Sequence, residues 1–189
     1  MKFAIITPTL QRDSLVRCVD SIDRQTHKDW EHIVGIDDQK IDYSLMGRCC
    51  SDKRIWISMG QRCGNYGNHA RHEAWKYVSA DWILYVDDDN FLADDRILED
   101  MATILEGVEE QWAIFPIHRH GRPFFYDPPG CCYVDSANMV VRREIGRWPD
   151  IEAREADGYL CDVLKDKYPY KAFPNFRPII VMEKSSNGA

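Results

Sequence analysis

The sequence predicts an α/β fold, a mostly parallel sheet flanked by helices on both faces, with a small irregular or antiparallel part toward its C-terminal side. Three observations predict it. Short apolar runs ("KFAII", "HIVGI", "RIWIS", "WILYV", "WAIFPI") alternate with longer segments whose apolar residues recur at helical spacing. Most of those runs are nearly continuous in apolar residues, as strands covered on both faces are. Polar residues gather where the runs end rather than within them.

"KFAII" reads as the first buried strand, ended by Pro8. Leu15, Cys18, Val19 and Ile22 then mark a helix, with Asp13 and Ser14 as its capping candidates. "HIVGI" is the second strand, ending in Asp37 and Asp38, and "RIWIS" the third. A glycine-containing loop within "GQRCGNYGNHARHEAWKYVSA" leads to a helix whose inner face carries Ala70, Ala74, Tyr77 and Val78. "WILYV" is the fourth strand and runs straight into Asp87, Asp88 and Asp89. Leu98, Met101, Ala102 and Leu105 mark another helix, followed by the strand "WAIFPI". The stretch "HRHGRPFFYDPPGCCYVD" holds three prolines and two glycines, which predict an irregular or antiparallel excursion rather than another βαβ unit. "ANMVVRRE" returns to strand character, "EADGYLCDVLKDKY" is helical, and "RPIIVME" is a final strand.

At 189 residues, one well-packed domain over 1–189 is expected. A net charge of −7 counts against the basic footprint of a nucleic-acid binder. No run approaches the roughly 18 apolar residues of a membrane span, and Arg12 and Asp13 come too soon for a signal peptide. A soluble, cytoplasmic protein with no transmembrane segment is the expectation. The seven cysteines are odd in number, include two adjacent pairs and form no CxxC, which argues against a disulfide framework and a zinc site. A Cys63, His69, His72 metal set can be drawn, but reduced thiols and loop histidines are the simpler reading.

Ligands of open α/β sheets bind beyond the carboxyl ends of the strands, so Pro8 and Thr9, Asp37 and Asp38, and Asp87 to Asp89 should converge on one rim. In extended backbone Asp87 and Asp89 point one way and Asp88 the other. Two carboxylates on one side suit a shared Mn2+ or Mg2+ that takes its remaining ligands from water and a diphosphate. Without a cation such a cluster repels itself and raises its own pKa values. The plainer alternative is a solvated turn whose aspartates cap the helix beginning near Asp94 or Asp95.

Three longer stretches carry a resemblance. "AIITPTLQRDSLVRCVDSIDRQTHKDWEHIVGIDD", "GNHARHEAWKYVSADWILYVDDDNFLADDRILEDM" and "YVDSANMVVRREIGRWPDIEAREADGYLCDVL" resemble, in order, the three blocks of the family 2 glycosyltransferases, nucleotide-diphospho-sugar transferases of the GT-A fold. The resemblance spans roughly residues 3 to 166 and implies a nucleotide-binding half over about 1–92 and an acceptor-side half over 93–189. It implies that Pro8, Thr9 and Asp38 line the base and ribose pocket with Asp37 beside them, and that Arg71 lies near the pyrophosphate or base. Asp87 and Asp88 would contact the ribose and diphosphate. Asp89 would be the principal ligand of a Mn2+ or Mg2+ cofactor, with Asp87 beside it, and Asp135 would face the donor sugar or acceptor. The catalytic base of inverting members matches Asp157 in "READGYL", where Ala156 replaces a common Glu and leaves Glu155 as a nearby competitor. The implied reaction is sugar transfer from a donor, UDP-sugar favoured, to a saccharide or other hydroxyl acceptor, with inversion. An oligomer or partner subunit remains compatible with it.

Weaker readings accompany this one. His118 and His120 read as solvated or structural, and Trp148, Tyr126 and Phe125 as packing rather than sugar-stacking residues. "YVDD" matches a reverse-transcriptase tetrapeptide, but the short acidic chain counts against a polymerase. The DxD of a haloacid-dehalogenase-like phosphatase follows the first strand, whereas this one lies mid-chain. A degenerate sugar-nucleotide-binding protein or subunit is the remaining alternative, and the presence of Asp89 and Asp157 argues against it.

Overall fold

Alternation along β1 (Phe3–Thr9) sends Phe3 and Ile5 into one core and Ala4 and Ile6 into another, so both faces of the strand are covered. The computed structural model describes residues 1–130 and 133–182. After β1 come α1 (Ser14–Asp23), β2 (Trp30–Ile36), α2 (Tyr43–Arg48), β3 (Arg54–Ser58), α3 (Asn68–Trp75), β4 (Trp82–Tyr85) and β5 (Asn90–Leu92). The second half adds α4 (Ile97–Leu105), β6 (Trp112–Ile114), β7 (Ile117–Arg119), β8 (Arg122–Phe124), β9 (Met139–Arg142), α5 (Ala156–Lys167), β10 (Tyr170–Ala172) and β11 (Ile180–Met182).

Seven strands form the main sheet in the order β10-β6-β9-β4-β1-β2-β3. All its pairs are parallel except those of β9, which runs antiparallel between β4 and β6. A smaller sheet, β5-β11-β7-β8, is mainly antiparallel. Cys18 and Ile22 of α1 and Leu98 and Met101 of α4 pack with Phe3, Ile5, Trp82 and Leu84 on one face. Ala74 of α3 and Leu160, Cys161 and Leu164 of α5 pack with Ala4, Ile6, Ile83 and Tyr85 on the other. Helices therefore flank both faces, as the apolar runs predict. Close approach of α3 to β2 depends on Gly35, where a Cβ would stand 3.0 Å from that of Ala70.

Several boundaries differ from expectation for identifiable reasons. β1 does not stop at Pro8 but continues to Thr9. β4 ends at Tyr85, opposite Ile6, so the end of β1 is paired with β2 alone, where a proline is tolerated. The strand expected over "WAIFPI" divides at Phe115–Pro116 into β6 and β7, which belong to different sheets. Tyr77 and Val78 both lie beyond the end of α3; Val78 is buried with Ala70 and Ala74, whereas Tyr77 is 51% exposed and leaves the expected inner face. Asp13 stands before α1 without capping it and pairs instead with Arg48 at 2.8 Å. The excursion after β7 is a hairpin, β7 to β8, and the last residue of "RPIIVME", Glu183, lies outside the described residues, as do Cys131 and Cys132.

Candidate active site

The carboxyl ends of β1, β2 and β4 open on a cavity of about 830 Å³ lined by Pro8, Thr9, Asp37, Arg71 and all three of Asp87, Asp88 and Asp89. A second cavity of about 440 Å³ is lined by Asp135, Glu155 and Asp157. Arg71 and Asp87 line both, as do Tyr66 and Arg154. Of the residues expected on one rim all but Asp38 line the larger cavity, and the two cavities share a wall.

Each aspartate of the triplet has a different environment. Asp88 is 1% exposed. Its Oδ2 accepts from Thr9 Oγ1 at 2.6 Å and from Arg12 Nε at 3.3 Å, and its Oδ1 accepts from Arg12. Asp87 pairs with Arg71. Asp89 is partly exposed and has Arg12 as its ion-pair partner at 3.3 Å. Burial pushes the Asp89 carboxyl above its ordinary pKa, Arg12 opposes this, and the charges of Asp87 and Asp88 add to it. Three carboxylates facing two guanidiniums leave an excess negative charge at the end of β4. A divalent cation fits that imbalance, with Asp89 and Asp87 as the exposed oxygen donors. Among the described residues, no group of three or more His, Cys, Asp or Glu side chains forms a cage of its own, so substrate oxygens would have to complete the coordination.

The two aspartates after β2 exchange their expected places. Asp37 is 3% exposed, lines the larger cavity and accepts from the Cys63 N–H at 2.6 Å. Asp38 does not line it, and its Oδ1 accepts from the Lys40 N–H at 3.3 Å in the following turn. Alternation at the strand end directs only the first of the pair inward.

Arg71 is held from several sides. It donates to the Tyr66 carbonyl at 2.8 Å, pairs with Asp87 and stacks 4.8 Å over the Trp148 ring, while its Nε is buried with no partner among the described residues. The loop delivering Tyr66 has four consecutive positive φ values, at Gly64, Asn65, Tyr66 and Gly67. A Cβ on Gly67 would stand 2.8 Å from the Pro8 Cβ, so glycine is required for the loop to seat against the cavity wall.

In the smaller cavity, Asp157 opens α5 and accepts from the Gly158 N–H at 2.8 Å. Burial raises its pKa first of all, Arg71 lowers it and Asp87 raises it. Ala156 is wholly buried in the core, where a Glu would carry its charge into an apolar setting, while Glu155 is exposed at the rim. Asp135 caps the 3-10 turn Ser136–Asn138, accepting from the Ala137 N–H at 3.1 Å, and Asn138 returns a bond to the Asp135 N–H. Burial, with Asp87 and Asp157 nearby, pushes its carboxyl up to about 6.

Other residues resolve more simply. His69 faces Asp150 at 3.2 Å, and His72 bonds to the Trp148 carbonyl at 2.8 Å, so neither forms a ligand set with Cys63. Trp148 is 2% exposed and donates to Asn68, which makes it packing as read, although its edge lines the smaller cavity. Phe125 packs against the core, while Tyr126 is half exposed and touches Phe124 and Tyr133. Arg12, Tyr66 and Arg154 escaped the sequence reading. Of these Arg12 leaves only a positional signal, an arginine shortly after the end of β1, and nothing in the sequence pattern aims it at the triplet.

No curated protein matches this chain. Solved structures match its fold. S. aureus TarS superposes with a TM-score of 0.78 at 14% identity over 98% of this chain and 37% of that one. Residues 1–349 of S. aureus TarS in complex with UDP-GlcNAc give 0.80 at 16% identity, over 100% and 60%. The mannosyltransferase PcManGT from Pyrobaculum calidifontis, in complex with GDP-Man and Mn2+, gives 0.74 at 16% identity, over 99% and 58%. This chain therefore spans between 37% and 60% of the length of these three structures. Among the described residues no helix is long and apolar enough to cross a membrane. The family model for glycosyl transferase family 2 matches residues 4–130, which include the triplet and every residue lining the larger cavity except Glu152 and Arg154, and the chain belongs to that family.

Proposed function

We propose that the protein transfers a sugar from a nucleoside-diphosphate donor, a UDP-sugar in the first instance, to an acceptor hydroxyl with inversion, and that it does so with Mn2+ or Mg2+ bound. The observation that carries this reading is the wall shared by the two cavities, where Arg71 and Asp87, the first residue of the triplet, line both the cavity that holds Asp88 and Asp89 and the one that holds Asp157. Residues 1–92 would supply the donor side and 93–189 the acceptor side of one GT-A unit. The two complexes of structural neighbours with UDP-GlcNAc and GDP-Man agree with such a donor.

In this reading Pro8, Thr9 and Asp37 line the nucleoside site, and Asp89 with Asp87 holds the cation. When bound, the cation neutralises charge developing on the departing diphosphate. Arg71 lies where it can face the same phosphates. Asp88, buried with both oxygens taken, acts through Arg12 rather than by touching the donor. Asp157 accepts the acceptor's hydroxyl proton as that oxygen bonds to the anomeric carbon and the sugar–diphosphate bond breaks with its electron pair on the leaving group. Asp135 and Glu155 orient the sugars from the smaller cavity. Burial raises the pKa of Asp157, which makes it a stronger proton acceptor than an ordinary aspartate.

The test is calorimetric titration of UDP with and without Mn2+, on the wild type and on Asp89→Ala. Metal-dependent binding that the substitution removes supports the reading. Folded protein that binds neither UDP nor other nucleoside diphosphates, with or without Mn2+, returns it to the degenerate alternative.

A further inference from the structure

Arg12 is anchored and partly free at once. Its Nε and one terminal nitrogen grip the two oxygens of buried Asp88, while the other terminal nitrogen lies 3.3 Å from Asp89. The side chain is 43% exposed, against 1% for Asp88 and 30% for Asp89. The grip on Asp88 is therefore enclosed and the contact with Asp89 is open to the cavity.

The backbone is shaped to aim this side chain. Gln11, next to it, has a φ of 60°, which a residue other than glycine seldom adopts. Three bonds hold it there: its N–H donates to Thr9 Oγ1 at 2.8 Å, its Nε2 to the Lys40 carbonyl at 2.6 Å, and its Oε1 accepts from the Asp42 N–H at 2.6 Å. Thr9 Oγ1 in turn donates to Asp88. Strain that surrounding bonds hold in place commonly marks a functional constraint. Here it turns the chain after β1 back over the triplet.

We infer that Arg12 guards Asp89: fixed on Asp88 by a two-nitrogen grip, it covers Asp89 with its remaining nitrogen until the phosphates of a nucleoside diphosphate take that nitrogen over. The inference rests on the donor-site reading above and adds a coupling to it. A cation arriving alone has to compete with Arg12 for Asp89. A cation arriving with a diphosphate does not, because phosphate oxygens offer the guanidinium a charge-assisted bond in exchange. Metal and nucleotide then strengthen each other's binding by the same factor, and the site resists filling with metal alone.

Mn2+ binding, read by the electron paramagnetic resonance of the free ion, tests this without any turnover. Wild type, Arg12→Met and Arg12→Lys are titrated with Mn2+ in the absence of nucleotide and in saturating UDP. Lysine keeps a charge beside Asp88 but has one nitrogen in place of the fork. Removing an exposed ion pair of this kind should tighten Mn2+ binding without UDP about two- to fivefold in both variants. The factor by which UDP improves Mn2+ binding should fall about tenfold or more in Arg12→Met, the usual effect of losing a hydrogen bond to a charged group. Melting curves check folding, and if Arg12→Met leaves Asp88 too destabilised to fold, Arg12→Lys carries the test through its first effect. Variants that match the wild type in both titrations overturn the inference and leave the donor site standing. A wild type that takes up no Mn2+ even in saturating UDP removes the donor-site reading and the inference with it.

Discussion

Arg71 pairs with Asp87 on the wall between the larger and the smaller cavity, and the pair is enclosed on the arginine side, where exposure is 6% against 31% for the aspartate. Stacking on Trp148 and the bond to the Tyr66 carbonyl fix the guanidinium, so it serves both cavities from one position. Arg71→Met should destabilise the fold by about 1–3 kcal/mol, because Asp87 loses a charged partner at a partly exposed site. It should also raise the pKa of Asp157 further, since Arg71 is a charge that lowers it. Denaturant titration measures the first effect. The acid limb of the pH–rate profile, moving to higher pH, measures the second.

Asp157→Asn should leave UDP binding and melting temperature near wild type while transfer falls about 10²–10⁴-fold, the usual contribution of a general base. The amide keeps an oxygen for the Gly158 N–H and loses only the capacity to take a proton. The Glu155→Gln variant separates the two carboxylates at this helix start. A large loss in Glu155→Gln with a small one in Asp157→Asn would give the proton to Glu155.

Residues that carry a strong local pattern were legible in the sequence, and residues whose role depends on tertiary partners were not. The central strands β1, β2 and β4 are largely apolar runs long enough to show their burial, and the triplet announces itself as charge at a strand end. β5 and β10 have three residues each, and α2 has six, too few for a period to emerge. Asp37 and Asp38 are chemically identical neighbours. Which of them faces the cavity was set by where β2 ends, a boundary that periodicity locates only to within a residue or two. Arg12 was hidden for a different reason: its aim depends on the left-handed Gln11 and on bonds to the 40–42 segment, none of which a helical or extended pattern encodes.

Gly67 offers a test of how the loop before α3 supports the larger cavity. Its φ is +78°, and an added Cβ would meet the Pro8 side chain at 2.8 Å and Arg71 at 3.3 Å. Gly121 shares the φ of +78° but has no atom of the described residues within 4 Å of its added Cβ. Both alanine variants bear the conformational strain, about 1–2 kcal/mol. Gly67→Ala should lose more stability than Gly121→Ala and should also weaken UDP binding, because Pro8 and Arg71 line the same cavity. Equal melting temperatures and equal UDP affinities for the two variants would show that the contact with Pro8 can relax at no cost.

Asp135 links the smaller cavity to pH. Its carboxyl is pushed up to about 6 in the folded protein, against about 3.9 in an unfolded chain. Between those two values the folded state holds the proton and the unfolded state does not, so stability falls as pH rises through that window. Above pH 6 both states are ionised and the penalty is constant. Asp135→Asn keeps an oxygen to cap the 136–138 turn but has no charge to bury. The variant should therefore match the wild type at about pH 3.5 and exceed it by roughly 1–3 kcal/mol at pH 7, because each tenfold difference in proton affinity between the two states is worth about 1.36 kcal/mol. Urea unfolding at the two pH values measures the difference. A wild type as stable as Asp135→Asn at pH 7 would mean that the carboxylate is ionised there without penalty, and the smaller cavity would then hold an ordinary solvated aspartate.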